Sequence, residues 1–135
     1  MKKILLLTTP VKNSINIEVS RNVSENTGIL PPLGLLYIAS YARQQFKNDI
    51  EIKILDCNNK DYPELTDFVQ SYKPDVTGIS AFTHSLPDVM LTAQIIKKYL
   101  PRSLVCIGGP HANNFAKQLA ELNICDIVIG QSGEQ

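Results

Sequence analysis

The run Leu104-Val105-Cys106-Ile107 ends in Gly108-Gly109-Pro110, and that junction limits the folds open to this chain. An apolar run with β-branched members reads as a strand buried on both faces, as in a parallel sheet covered by helices. Gly-Gly-Pro continues neither a strand nor a helix. Paired glycines let the backbone turn sharply and let a bulky group come close to it. In open parallel sheets, ligands sit at the carboxyl ends of the strands, near the point where strand order reverses. On the glycines alone, a tight strand-to-helix turn without a ligand is an equal reading.

The same alternation recurs along the chain. Ile4–Thr9 reads as a first strand, stopped by Pro10. Ile50–Asp56 alternates apolar and charged residues at period two, the pattern of an edge strand. Val76–Ser80 is a third strand and Asp126–Gly130 a fifth. Between them lie helical patterns. Pro31-Pro32 opens a helix over Leu33–Ala42, where a missing N–H costs nothing. That helix is apolar nearly all round, unlike a surface helix with one apolar stripe. Asp61-x-x-Glu64 around Pro63 is a capping box, followed by Leu65, Phe68, Val69 and Tyr72 on one face. Ser85-x-x-Asp88 around Pro87 predicts a second cap, with Val89, Ala93, Ile96 and Leu100 as the buried stripe. A fourth helix spans Asn113–Leu122, with Phe115, Ala116 and Leu119 inward. Right-handed crossovers then give a doubly wound α/β fold, a five-stranded parallel sheet in order 2-1-3-4-5.

Composition narrows the function. The 135 residues suit one domain, and 44% hydrophobic with 19% charged residues makes it globular. Formal net charge is +0 and no long basic run occurs, which argues against a nucleic-acid partner. No apolar run is long enough to cross a bilayer, and the four apolar residues after Lys2-Lys3 make no signal peptide. The expected location is the cytoplasm. Cys57, Cys106 and Cys125 stand too far apart for a C-x-x-C or iron–sulfur pattern and read as reduced, mostly buried thiols. The segment Val11–Leu30 has little periodicity and much Asn and Ser. A loop of that length at a strand end is functional or mobile.

Familiar chemistries of this fold can be tested one by one. Thr8-Thr9-Pro10 stands where a dinucleotide fold needs G-x-G-x-x-G, and no Gly-Lys-Ser/Thr of a phosphate loop exists. The first and third strands end in Thr and Ser, not in the carboxylates that hold magnesium. What the strand ends offer is small and neutral: Ser80-Ala81-Phe82-Thr83, then Gly108-Gly109, then Gly130. Such a surface suits a bulky, mostly neutral ligand held by backbone and hydroxyl groups. His84 and His111 are the only imidazoles and read as polar loop residues. No spacing of them with carboxylates makes a metal site or a catalytic pair.

Four pieces in order carry a resemblance: Pro31-Pro32-Leu33-Gly34-Leu35 with Tyr37-Ile38-Ala39; Lys73-Pro74-Asp75-Val76-x-Gly78-Ile79-Ser80; Gly108-Gly109-Pro110-His111-Ala112; and Asp126-Ile127-Val128-Ile129 running to Gly133-Glu134. The chain resembles the cobalamin-binding domain at the amino end of many radical S-adenosylmethionine enzymes, including anaerobic magnesium-protoporphyrin monomethyl ester cyclases and related methylases. The resemblance implies a flavodoxin-like fold that buries the nucleotide tail of cobalamin at the switch point, with the corrin ring on the strand ends. Contacts would come from Thr9, Pro10, Ser80, Phe82, Thr83, Gly108, Gly109, Pro110 and Gly130. It implies no catalytic residue and no metal ligand within these residues.

The sequence also departs from the family. The D-x-H-x-x-G that supplies a lower cobalt ligand after the first strand is absent, and Gln131-Ser132 stands where relatives carry Gly-Glu. The C-x-x-x-C-x-x-C of the radical domain is absent too. The iron–sulfur cluster and S-adenosylmethionine would therefore belong to a domain beyond Gln135 of a longer oxidoreductase or methyltransferase. Residues 1–135 would be its cobalamin-binding-like domain, catalysing nothing alone, with that downstream domain as partner. Self-association of the isolated chain through its apolar surfaces is an open outcome. The alternative is a degenerate domain of the same fold, a scaffold or docking surface without cobalamin.

Overall fold

Each apolar run becomes a strand because its alternate residues find two different environments. The computed structural model describes residues 1–15 and 30–131. In chain order these form β1 (Lys2–Leu7), α1 (Leu33–Phe46), β2 (Ile50–Leu55), α2 (Tyr62–Tyr72), β3 (Val76–Ser80), α3 (Leu86–Tyr99), β4 (Leu104–Gly108), α4 (Pro110–Glu121) and β5 (Ile127–Val128). The sheet has the order β2-β1-β3-β4-β5, with every pair parallel. Order, direction and the edge position of β2 are those expected from the sequence. Most of the segment Val11–Leu30 (residues 16–29) lies outside the described residues. No helix among the described residues is long and apolar enough to cross a membrane.

The two faces of the sheet are covered unequally. Leu5, Leu7, Ile79, Ala81, Val105 and Ile107 pack against Leu65 and Val69 of α2, Val89, Ala93 and Ile96 of α3, and Ala112 and Leu119 of α4. On the opposite face, Leu6 and Ile52 meet Leu35 and Ala39 of α1. Period two separates the sets cleanly, since neighbouring residues of a strand point to opposite faces. β4 is therefore not buried on both faces: Val105 and Ile107 are buried, while Leu104 is 46% exposed and Cys106 is half-buried.

Local chemistry sets several boundaries away from expectation. β1 ends at Leu7 because the Thr8 hydroxyl turns to donate to Asp56 Oδ1 at 2.8 Å and to accept from the Cys57 N–H at 2.9 Å. The capping box of α2 is present: Asp61 accepts from the Glu64 N–H at 2.9 Å and Glu64 accepts from the Asp61 N–H at 3.0 Å. The expected second box is not. Ser85 Oγ bonds the backbone of Phe82 instead, at 3.1–3.2 Å, and Asp88 points inward with no exposed surface. Helix α4 starts at Pro110 rather than Asn113, because proline at its first position continues directly from the Gly109 turn. Phe115 has non-helical torsions (φ −131°, ψ 32°) and is 40% exposed, so it does not face the core. On α1, Leu33, Leu36, Tyr37 and Tyr41 are exposed, so its apolar residues are not all buried.

The three cysteines are free. Cys57 is fully buried, and burial pushes its thiol up to about 12. Burial and the nearby Asp126 carboxylate also raise Cys106 and Cys125. Such thiols stay protonated and unreactive at neutral pH.

Candidate functional site

The thinly covered face holds a cavity of about 710 Å³. Its floor is made of small residues at alternate positions of two central strands. Gly78 pairs with Cys106 and Ser80 with Gly108, so these four form one tile on the cavity side. Their odd-numbered neighbours Ile79 and Ile107 carry large side chains into the packed face. Leu6 of β1 with Leu35 and Ile38 of α1 makes one wall; Ile129 and Gln131, after β5, make the other. Thr9, Val11, Phe82 and His84 stand around the strand ends, and the first turn of α4 contributes Pro110 and Asn113. Among the described residues that line it, none is Asp, Glu, Lys or Arg.

The residues singled out in the sequence divide by place. Thr9, Ser80, Phe82, Gly108, Gly109 and Pro110 line the cavity. Pro10 is buried beside it without lining it. Thr83 Oγ1 lies 3.0 Å from His111 Nδ1, and that ring stacks on Phe115 with centroids 4.9 Å apart. His111 is thus a buried residue of α4, not a polar loop residue. Gly130 serves a close approach: a Cβ there would stand 3.1 Å from Ala116 Cβ. His84 is exposed on the cavity rim, and its carbonyl accepts from the Ile15 N–H at 2.9 Å.

Gly108 and Gly109 do different things. Gly109 has φ +95°, and a Cβ there would meet Ala81 N, Ala81 O and Ser80 Oγ at 3.0 Å. Only glycine suits that turn, and the reason lies in the protein's own backbone. Around it, Ala81 N donates to Gly108 O at 2.8 Å and His111 N to Ala81 O at 3.0 Å, tying the ends of β3 and β4 to the start of α4. A Cβ on Gly108 would meet only ordinary contacts at 3.8 Å. Its missing side chain therefore leaves room above the floor.

Gly78 and Cys106 were not read as site residues in the sequence. Their signal was the pair of patterns Gly-x-Ser and Cys-x-Gly, which mean little until the register sets them side by side. Among the described residues, no three of His, Cys, Asp and Glu gather where they would hold a metal ion.

A flat floor of small residues, an uncharged lining and a parallel sheet open on one face invite comparison with known proteins. Residues 21–135 match the model of the B12 binding domain. This chain belongs to the B12-binding domain family. The B12-binding domain is 32% identical, over 98% of its length, to an uncharacterized methyltransferase of Pyrococcus horikoshii. It is 26% identical, over 83% of its length, to the anaerobic magnesium-protoporphyrin IX monomethyl ester cyclase of Rubrivivax gelatinosus. It spans 27% and 20% of the lengths of those two proteins.

The cavity of this B12-binding domain fits the nucleotide tail of cobalamin. Within the tile, Leu6 Cδ2 covers Gly78, where a Cβ would stand 2.8 Å from it, while Gly108 leaves open room that suits a flat aromatic base. The hydroxyls of Thr9 and Ser80 suit a sugar.

Proposed function

We propose that this domain holds cobalamin by its nucleotide tail, in the cavity between α1 and the open face of β3 and β4. The observation that carries the reading is the small-residue tile under a cavity of about 710 Å³ whose described lining carries no charge. The family membership supports it. Thr9, Ser80, Phe82, Gly108 and Pro110 would contact the cofactor directly, Gly109 would shape the turn, and Pro10, Thr83 and Gly130 would support the site from behind. Thr8–Ile15 contains no histidine, so the segment after β1 would give cobalt no lower ligand. Bound cobalamin supplies a redox-active cobalt centre able to carry an alkyl group. The protein's own part is to bind, orient and shield.

The wider setting follows from the two longer relatives, one named a methyltransferase and one a cyclase. The domain would present its cofactor to a radical S-adenosylmethionine domain that carries the iron–sulfur cluster, in a cytoplasmic protein of methyltransferase or cyclase type. The exposed apolar residues Leu33, Leu36, Tyr37 and Tyr41 of α1 favour the second reading, a docking scaffold without cobalamin. Desalting after incubation with hydroxocobalamin separates the two. The proposal expects the corrinoid spectrum to co-elute with the wild type and to be reduced in Gly108→Val, with both proteins folded by circular dichroism. A wild type that elutes colourless supports the scaffold.

A further inference from the structure

The carboxylate of the expected cap on α3 has a use that neither the family nor the resemblance assigns. Asp88, in the first turn of α3, has no exposed surface. Its Oδ2 accepts from the Asn13 N–H at 2.9 Å, the Ser14 hydroxyl at 3.1 Å and the Lys12 N–H at 3.3 Å. Its Oδ1 accepts from Asn13 Nδ2 at 3.0 Å and from the Tyr62 hydroxyl at the start of α2. All these donors are neutral, and they converge from two places in the chain. A buried carboxylate is tolerated only when its lone pairs are filled in this way.

Four of the donors belong to the segment directly after β1, which is otherwise weakly tied. The Ile15 N–H adds one bond, to the carbonyl of His84, on the same side. Val11 and Thr9, immediately before the tethered residues, line the cavity, and so does His84. We infer that Asp88 is the positioning residue for the wall that the post-β1 segment gives the cavity, drawing Lys12–Ser14 against α3 so that Thr9 and Val11 face the cofactor tail. Tyr62 holds the carboxylate in the rotamer that does this. Asp88 touches no ligand and acts through the segment it holds. Burial pushes its pKa up, but the hydroxyl of Tyr62 and the donors of Asn13 and Ser14 outweigh that and hold it below the ordinary carboxylate value, so it is ionised at neutral pH.

The inference rests on the cobalamin reading for its binding arm only. The test uses Asp88→Asn and Tyr62→Phe in the whole chain, with circular dichroism and melting as controls. Amide exchange is followed over residues 11–15, and affinity is measured for hydroxocobalamin and for cobinamide, which lacks the tail. In Asp88→Asn, exchange over residues 11–15 accelerates, and hydroxocobalamin affinity falls about tenfold, the worth of one charge-assisted hydrogen bond. Cobinamide affinity stays within about twofold, because a wall for the tail does not touch the ring. A merely structural role would weaken both ligands alike. Tyr62→Phe gives a smaller change in the same direction and carries the test if Asp88→Asn does not fold. Unchanged exchange over residues 11–15 in folded variants overturns the inference, as does an equal loss for both ligands. If the wild type retains no hydroxocobalamin, the cobalamin reading falls, and exchange alone decides whether Asp88 positions the segment.

Discussion

The two faces of one sheet have been put to different uses. On the face under α2, α3 and α4, every strand residue is large or fits closely, and Leu5, Leu7, Val105 and Ile107 have no exposed surface. On the other face, α1 alone among the described helices packs against the sheet, and β3 and β4 present Gly78, Ser80, Cys106 and Gly108. The same strands thus carry stability on one side and vacancy on the other. The face that holds the fold together does not build the site, so the site residues can be small without costing the core its packing.

The comparison breaks most easily at its strongest point. Leu7→Ala removes a fully buried side chain from the packed face and should cost about 2–5 kcal/mol in denaturant unfolding. Cys106→Ala, two strands away on the open face, should cost less than about 1 kcal/mol. Equal losses would mean that the open face also carries the core. Next come the two glycines at the end of β4. Gly109→Val forces a branched residue to φ +95° and a Cβ to 3.0 Å from the Ala81 backbone, and should cost about 1–3 kcal/mol. Gly108→Ala should leave stability within about 0.5 kcal/mol while narrowing the cavity. A melting temperature unmoved by Gly109→Val would show that the turn has slack.

Acid titration sharpens the contrast further. The Lys97 ion pair and the Val105 N–H hold Asp126 below its ordinary value of 3.8, and the neutral donors do the same for Asp88. A lowered folded value means that this stability is complete above the ordinary value and lost as pH falls through the folded one. Thermal stability should be flat from about pH 7 to pH 5 and fall below about pH 4. Replacing Asp88 by Asn should remove part of that fall. The smallest effect is expected on α1. Tyr37→Ser and Leu36→Ser should change stability by less than about 0.5 kcal/mol, since both side chains are already exposed. Sedimentation should show less self-association than in the wild type if these residues form a contact surface. An unchanged sedimentation profile would leave them as wet surface.

Much of this architecture was legible in the sequence, because period two, period 3.6 and the Gly-Gly-Pro junction each answer to local physics. Strand order followed from the alternation and the handedness of crossovers. The inequality of the faces was not legible, since Cys106 in an apolar run looks as buried as Val105 until the helices are counted. The tile of small residues needed the register of β3 against β4, which no local pattern supplies. Ser85-x-x-Asp88 satisfied the capping pattern, yet tertiary donors from Asn13, Ser14 and Tyr62 claimed the carboxylate. His111 read as a loop residue because Gly-Gly-Pro hid the start of α4.

The central claim is that the cofactor tail enters the open face, and methyl-resolved NMR tests it most directly because methyl groups belong to one face or the other. Titrating the protein with α-ribazole phosphate, the tail without its ring, should shift the methyls of Leu6, Leu35, Ile38 and Ile129. The methyls of Leu5, Leu7, Val105 and Ile107 should stay in place. Saturating shifts confined to the first set are the predicted result. Shifts led by the packed-face methyls, or none up to millimolar ligand, would contradict it.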